Sequence, residues 1–187
     1  MRIMKGSIQC LAVDYQEKLV PVMQEKERLL ERSALFLKGL RLLGVPVAVT
    51  EQYPKGLGRT VPKILTAAGT KTAFDKITFS CLENEKIREH IGCQAGRRFV
   101  AVCGIEAHIC VLQTVVDLCG LGYVPVVAAD CVASKRSEDR ETALERMKKE
   151  GAYLTTSESL LYELMRSAKD EAFRGITALV KEQRRID

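Results

Sequence analysis

Cys110 is the residue of this chain that is best placed for chemistry. The strand-like run Arg98–Cys103 is followed by Gly104, and Cys110 stands where the next helix is predicted to begin. A thiol at a helix start meets unpaired N–H groups and the positive end of the helix dipole, which favour the thiolate. The pattern therefore predicts a cysteine nucleophile whose pKa is lowered.

Two further reactive residues stand at the ends of predicted strands. The first strand ends at Asp14, and a short extended segment leads into Lys76. In open parallel sheets, sites form beyond the carboxyl ends of the strands, where the loops converge. There Asp14 could accept the proton of the Cys110 thiol, and Lys76 could favour the thiolate. Backbone N–H groups near Glu106 and Cys110 could stabilise an oxyanion.

Each of the three residues also has a plain structural alternative. Asp14 could cap a loop, Lys76 could be an ordinary surface lysine, and Cys110 could be a buried helix cysteine. The chemical interpretation depends on finding all three at strand ends of one sheet.

The elements that would position these residues alternate between strands and helices. The predicted strands are Ser7–Val13, Val45–Thr50, Thr72–Asp75, Arg98–Cys103, Tyr123–Ala129 and Ala152–Thr155. The predicted helices are Glu25–Leu43, Val61–Ala68, Leu82–Ile91, Ala107–Leu121, Ser137–Glu150, Ser157–Met165 and Asp170–Arg184. Apolar strands separated by amphipathic helices predict a single α/β domain over residues 1–187, with three layers and a central parallel β-sheet flanked by helices.

Composition and length exclude several classes of protein. The chain has 187 residues, of which 47% are hydrophobic and 28% charged, as in ordinary globular domains. It contains no run of 18 apolar residues, so no membrane span is expected. The apolar run near the N-terminus is short and ends at Asp14, so we interpret it as a strand and not a signal peptide. We expect a cytoplasmic location, with an organelle as the alternative.

The cysteine count and the charge pattern weaken two further interpretations. The seven cysteines form no Cys-x-x-Cys pair, so neither a disulfide framework nor a zinc knuckle is indicated. The net charge of +5 comes from basic residues interleaved with acidic ones, which is typical of solvated helix faces. Nucleic-acid binding is therefore disfavoured.

The spacing of the reactive residues resembles a known family. The chain has Asp14-Tyr15-Gln16 after its first strand, Lys76 in the middle, and Gly104-Ile105-Glu106-Ala107-His108-Ile109-Cys110 before a helix. This order is similar to that of the isochorismatase-like cysteine hydrolases. The similarity runs from about residue 7 to beyond residue 134 and includes the segment Val127–Ser134.

The resemblance implies a Rossmann-like sheet and a catalytic triad of Cys110, Asp14 and Lys76. By analogy, Asp14 takes the thiol proton and Lys76 polarises the pair. Cys110 then attacks a carbonyl to give an acyl-enzyme, which water hydrolyses. The family also implies a cis peptide bond at Ile105–Glu106, with oxyanion donors at Ile105, Glu106 and Cys110. Homo-oligomers are common in the family, and the apolar C-terminal helices could supply an interface.

Two departures from the family bear on the substrate. Related nicotinamidases bind a metal through an Asp and His cluster, whereas this chain has the loop 50–58 there, and His90 and His108 are its only histidines. The resemblance therefore implies no metal and no cofactor. Members that cleave the vinyl ether of isochorismate typically lack the cysteine, so Cys110 indicates a small carbonyl substrate with an amide or ureide C–N bond.

Three residues are candidates for substrate binding. Gln16 and Gln52 lie in loops near the predicted site, where they would bond either a substrate or the loop backbone. Phe79, with Tyr53, would form an apolar wall of the pocket or pack in the core. The competing hypothesis is a catalytically silent protein that keeps the fold as a metabolite-binding or scaffold module.

Overall fold

The central element of the protein is a parallel β-sheet. The computed structural model describes residues 1–183, and within them six strands pair in the order β3-β2-β1-β4-β5-β6. All five strand pairings are parallel. The strands are β1 (Ile8–Val13), β2 (Val47–Gln52), β3 (Phe74–Lys76), β4 (Phe99–Ile105), β5 (Val124–Ala133) and β6 (Tyr153–Thr155).

Helices cover both faces of this sheet. One face packs against α1 (Lys26–Leu42), α3 (Pro62–Ala68), α7 (Ser157–Met165) and α8 (Phe173–Gln183). The other packs against α4 (Glu85–Gly92), α5 (Leu112–Gly120) and α6 (Ser137–Lys149). A single turn, α2 (Pro54–Leu57), lies in the loop after β2. This arrangement confirms the predicted three-layer α/β fold.

The two apolar cores follow from the alternation of side chains along the buried strands. In β1, Cys10 and Ala12 face the α1 side, and Leu11 and Val13 face the α5 side. Both sets are fully or almost fully buried, as expected for a parallel sheet covered on both faces. On α1, Leu37 is also completely buried, and burial of such a side chain stabilises the fold by about 1.5–3 kcal/mol.

The strand order places the neighbouring strands β1 and β4 at the centre of the predicted site. The chain winds outward from β1 in one direction through β2 and β3, and in the other through β4, β5 and β6. The direction therefore reverses between β1 and β4, and ligands of doubly wound sheets bind in the crevice beyond such a point. Asp14 follows β1 directly, and Cys110 follows β4 within one turn.

Two strands extend further than the sequence pattern predicted. β5 continues past Asp130 to Ala133, because it pairs again with β4 at Gly104 and Ile105 after a register shift. β2 ends at Gln52 and not at Thr50, because its last residues pair with β3. Both extensions contain polar residues, so the hydrophobic pattern did not predict them as strand.

The helix after β4 begins differently from the prediction. Ala107–Val111 forms a π-helical turn, and the α-helix itself begins at Leu112. Cys110 therefore lies inside a wide turn and not at the first residue of an α-helix. The predicted last helix, Asp170–Arg184, is observed as Phe173–Gln183, and Arg184 lies outside the described residues.

The apolar stripes of the last two helices pack inside the chain. Leu160 and Leu164 of α7, and Ile176 and Val180 of α8, belong to the core beneath α1. These residues are therefore not available as the subunit interface that the sequence suggested. None of the helices formed by residues 1–183 is both long and apolar enough to cross a membrane.

Candidate active site

Asp14 is held at the end of β1 by backbone and side-chain contacts. Its φ of 54° lies in the left-handed region, which aspartate tolerates better than most residues. Its N–H donates to the carbonyl of Thr50 at 3.2 Å, and its Oδ1 accepts the Thr50 hydroxyl at 2.7 Å. The side chain is completely buried. Thr50 therefore fixes the Asp14 carboxylate from the neighbouring strand.

Lys76 pairs with Asp14 inside the protein. Its Nζ lies 2.7 Å from Asp14 Oδ2, and both side chains have 0% exposure. Burial alone would lower the pKa of Lys76, but the charge and hydrogen bond of Asp14, together with the nearby Cys81 and Cys110, outweigh burial and raise that pKa. Lys76 is therefore a buried ammonium, and its alternative as a surface lysine is excluded.

Gly104 allows β4 to approach β1 at this point. Its φ is 137°, and a Cβ built on it would lie 2.2 Å from the carbonyl oxygen of Val13. Only glycine fits such a close backbone approach. The turn that carries Cys110 begins three residues later, after a cis peptide bond between Ile105 and Glu106.

Cys110 is a protonated thiol in this arrangement. Cys110 is only 6% exposed, and this burial raises the pKa of its thiol above the ordinary range. The negative charge of Asp14 and a hydrogen bond to it raise the pKa further, while Lys76 lowers it. This differs from the lowered pKa expected of a helix start, because the thiol is buried beside a carboxylate, and both disfavour the thiolate. The three residues predicted for the triad are nevertheless brought together.

The turn between β4 and α5 is tied to the segment after β5. The carboxylate of Glu106 accepts the N–H of Lys135 at 3.2 Å and lies 3.5 Å from its Nζ. His108 Nδ1 lies 2.9 Å from the hydroxyl of Ser134. The carbonyl of Glu106 accepts two N–H groups of the same turn. These contacts hold the backbone that carries the predicted oxyanion donors, whose role stays a prediction.

Gln16 bonds the loop backbone and not a substrate. Its amide nitrogen donates to the carbonyls of Gln52 and Gly58, at 2.9 and 2.7 Å. Its amide oxygen accepts the N–H of Gln52 at 2.6 Å, and the residue is fully buried. The substrate-binding assignment is therefore corrected, because both ends of the amide are occupied inside the protein.

Gln52 contacts the lysine of the site. Its Oε1 accepts from Lys76 Nζ at 2.8 Å, and its Nε2 donates to the carbonyl of Ile77 at 2.6 Å. The sequence left open whether this side chain bonds a substrate or the loop backbone. The structure gives each polar end of Gln52 a protein partner, and contact of this half-buried side chain with a substrate stays a prediction.

The aromatic side chains of Tyr53 and Phe79 are exposed and do not pack in the core. Phe79 is 52% exposed and Tyr53 is 50% exposed, which excludes core packing for both. Tyr53, Ile77 and Thr78 line a cleft of about 530 Å³ that reaches Lys76. Contact of Phe79 with a substrate stays a prediction.

Sequence reasoning missed two residues that build this site. Thr50 holds Asp14, and its signal was a polar residue at the end of an apolar strand that neighbours β1. Glu51 is buried and accepts the N–H and hydroxyl of Thr60, at 2.7 and 2.8 Å, and also pairs with Arg59. Burial opposes ionisation of Glu51, but these donors outweigh it and lower its pKa. Glu51 thereby fastens the loop that follows β2.

Metal ligands are not grouped in the part of the chain that the structure describes. Over residues 1–183, no cluster of three or more His, Cys, Asp or Glu side chains is arranged to hold a metal ion. Glu51 and Gln52, the last two residues of β2, bond protein partners.

Comparison with known proteins places this geometry in a family. The model of the isochorismatase domain matches residues 9–159. The bovine isochorismatase domain-containing protein 2 is 38% identical over 181 residues, covering 97% of this chain and 86% of the relative. The secreted isochorismatase effector Isc1 of Phytophthora sojae is 36% identical over 188 residues, covering 99% of this chain and 90% of the relative.

A solved structure agrees with these relatives in fold and in sequence. The structure described as the MAR1 ribonuclease of Caenorhabditis elegans superposes with a TM-score of 0.90 at 34% identity, covering 97% of this chain and 93% of that chain. The region matched by the family model contains all of β1 except its first residue, the lysine of β3 and the turn that carries Cys110. From the motif order, the strand topology and these relatives, we conclude that the chain belongs to the isochorismatase domain family.

Proposed function

We propose that this protein is a cysteine-dependent hydrolase of a small carbonyl compound with an amide- or ureide-type C–N bond. The observation that carries the proposal is the convergence of a buried Asp14–Lys76 ion pair with the Cys110 thiol at the β1–β4 crevice. A buried ion pair beside a potential nucleophile is costly to maintain for stability alone. Perturbed ionisable groups of this kind cluster at functional sites.

The protonation states define the first step of the proposed mechanism. Cys110 begins as a neutral thiol, and Asp14 begins as a carboxylate paired with Lys76. Transfer of the thiol proton to Asp14 creates a thiolate without changing the net charge of the three groups. The ammonium of Lys76 then faces a thiolate in place of a carboxylate, which stabilises the nucleophile.

The thiolate then attacks the substrate carbonyl carbon. A tetrahedral oxyanion forms, which N–H groups of the turn after the cis peptide would stabilise. The C–N bond breaks as the nitrogen takes the proton from Asp14, and a thioester on Cys110 remains. Water cleaves the thioester to release the carboxylic acid and restore the thiol. This route requires no cofactor.

A substrate screen with matched cysteine variants tests the proposal. The wild type, Cys110→Ala and Cys93→Ala are assayed against a panel of small primary amides and ureides, with product detection by mass spectrometry. Cys93 is an exposed free cysteine and serves as the control. We expect Cys110→Ala to lose about 10³-fold or more of any activity, since nucleophile removal has effects of this size, and Cys93→Ala to lose none. Unchanged hydrolysis by Cys110→Ala would refute the proposal.

RNA is the competing substrate, because the nematode relative at 34% identity is described as a ribonuclease. The interleaved charges of this chain argue against it. A labelled RNA oligonucleotide in the same panel separates the two: cleavage that survives Cys110→Ala would favour a ribonuclease over the proposed hydrolase. A catalytically silent binding module would show neither activity in the screen.

We also propose a homo-oligomer and a cytoplasmic location. The apolar side chains of Tyr53, Ile77 and Phe79 are at least half exposed beside the site, and a second copy would bury them. Light scattering on the purified protein tests the assembly. Microscopy of a tagged chain tests the location, with secretion or an organelle as the contrary result.

A further inference from the structure

The ammonium of Lys76 has more hydrogen-bond acceptors than protons. Its Nζ lies 2.7 Å from Asp14 Oδ2, 2.8 Å from Gln52 Oε1, 3.1 Å from the carbonyl of Phe79 and 3.2 Å from that of Thr78. An ammonium has only three N–H donors. Three neutral oxygens and one carboxylate therefore share three protons.

The orientation of Gln52 is fixed from two sides. Its Nε2 donates to the carbonyl of Ile77, so its Oε1 is directed at Lys76. Its backbone N–H donates to Gln16, which also bonds the carbonyl of Gln52. Gln52 is thus a prearranged neutral acceptor. Within residues 1–183, Asp14 and Gln52 are the two side chains that accept a hydrogen bond from the Lys76 ammonium.

The number of oxygen acceptors around Lys76 indicates a role for Gln52 during the proposed reaction. When Asp14 takes the proton of Cys110, Lys76 loses the carboxylate that balanced its charge. Three neutral oxygens remain, one for each N–H. We infer that Gln52 is a positioning residue that, with the carbonyls of Thr78 and Phe79, keeps the Lys76 ammonium charged and in place after Asp14 is protonated. This inference rests on the proposed cysteine mechanism.

A neutral amide suits this position better than either alternative. Methionine would fill a similar volume but accept no hydrogen bond from the ammonium. Glutamate would keep the hydrogen bond, but its charge would compete with the thiolate for Lys76 and raise the pKa of Cys110. The two substitutions therefore separate hydrogen bonding from charge.

The test is the rate of Cys110 alkylation by iodoacetamide against pH, followed by peptide mass mapping. The proteins are the wild type, Gln52→Met, Gln52→Glu and the exposed control Gln24→Met. We expect Gln52→Met to lower the rate at pH 7 about tenfold or more, the effect of one hydrogen bond to a charged group. Gln52→Glu should also raise the apparent pKa of Cys110, and Gln24→Met should match the wild type.

The outcomes separate the inference from the proposal beneath it. If both Gln52 variants keep the wild-type pH profile and only melt at lower temperature, Gln52 merely supports its loop and the inference is overturned. Should Gln52→Met fail to fold, the nearly isosteric Gln52→Glu decides alone by its profile. If Asp14→Asn leaves the Cys110 profile unchanged, the coupling between base and nucleophile is absent, and the proposed function itself fails.

Discussion

Removal of one member of the Asp14–Lys76 pair should destabilise the protein severely. Both side chains are completely buried and 2.7 Å apart. Lys76→Met leaves the Asp14 carboxylate with hydrogen bonds from the Thr50 hydroxyl, at 2.7 Å, and from the Cys110 thiol, but without a counter-charge. Asp14→Asn leaves the ammonium without its counter-charge. Each variant therefore contains an uncompensated buried charge.

The expected size follows from the cost of breaking a buried pair. Each single variant should lose about 3–5 kcal/mol in the free energy of unfolding. For a chain of this length, that corresponds to a fall in Tm of roughly 6–20 °C. The double variant Asp14→Asn, Lys76→Met has no unpaired charge, so we expect it to lose clearly less than the sum of the two.

Urea unfolding followed by far-UV circular dichroism measures this cycle, because the chain has no tryptophan for fluorescence. The control is Lys63→Met, which removes a lysine paired with Glu31 at the surface. That exposed pair should contribute less than about 1 kcal/mol.

Two results would refute this reasoning. One is a loss below about 1 kcal/mol in both single variants, since groups that reach water would behave in this way. The other is strict additivity in the double variant, which would show that the two charges do not interact.

Three further predictions concern other parts of the fold. Gly104→Ala should lower the free energy of unfolding by about 3 kcal/mol or more, because its Cβ would lie 2.2 Å from the carbonyl oxygen of Val13. A Cβ at Gly92 would meet nothing within 4 Å, so Gly92→Ala should stay within about 1 kcal/mol of the wild type in the same urea assay. Equal effects of the two would contradict the close approach. Tyr15→Phe should lower the free energy of unfolding by about 1–3 kcal/mol, because the buried hydroxyl bonds the Ser33 hydroxyl at 2.6 Å and the Cys131 carbonyl at 2.7 Å. Thermal unfolding measures this loss, and an unchanged Tm would show that these bonds contribute nothing. Burial and the charge of Asp14 raise the pKa of Cys81 to about 11, above its value of about 8.5 in the unfolded chain. Stability should therefore fall as pH rises from about 8.5 to about 11, and less steeply in Cys81→Ala; parallel pH curves would contradict this origin.

The sequence by itself determined the architecture and the positions of the reactive groups. Alternating apolar strands and amphipathic helices predict a parallel sheet, and residues that end such strands must meet at one edge. Asp14, Lys76 and Cys110 could therefore be chosen before any coordinates were known. The glycine before the turn that carries Cys110 was likewise visible in the sequence, and the structure shows that a side chain at Gly104 would collide with β1.

Only the tertiary structure decided the protonation states and the roles of the neighbours. The pKa of Cys110 depends on how much water and which charges surround the thiol, and burial with Asp14 raises it where a helix start predicted the opposite. Gln16 and Gln52 are alike in sequence context, yet one bonds backbone alone and the other also holds Lys76. Such differences arise from the distances between separate strands, which local patterns do not encode.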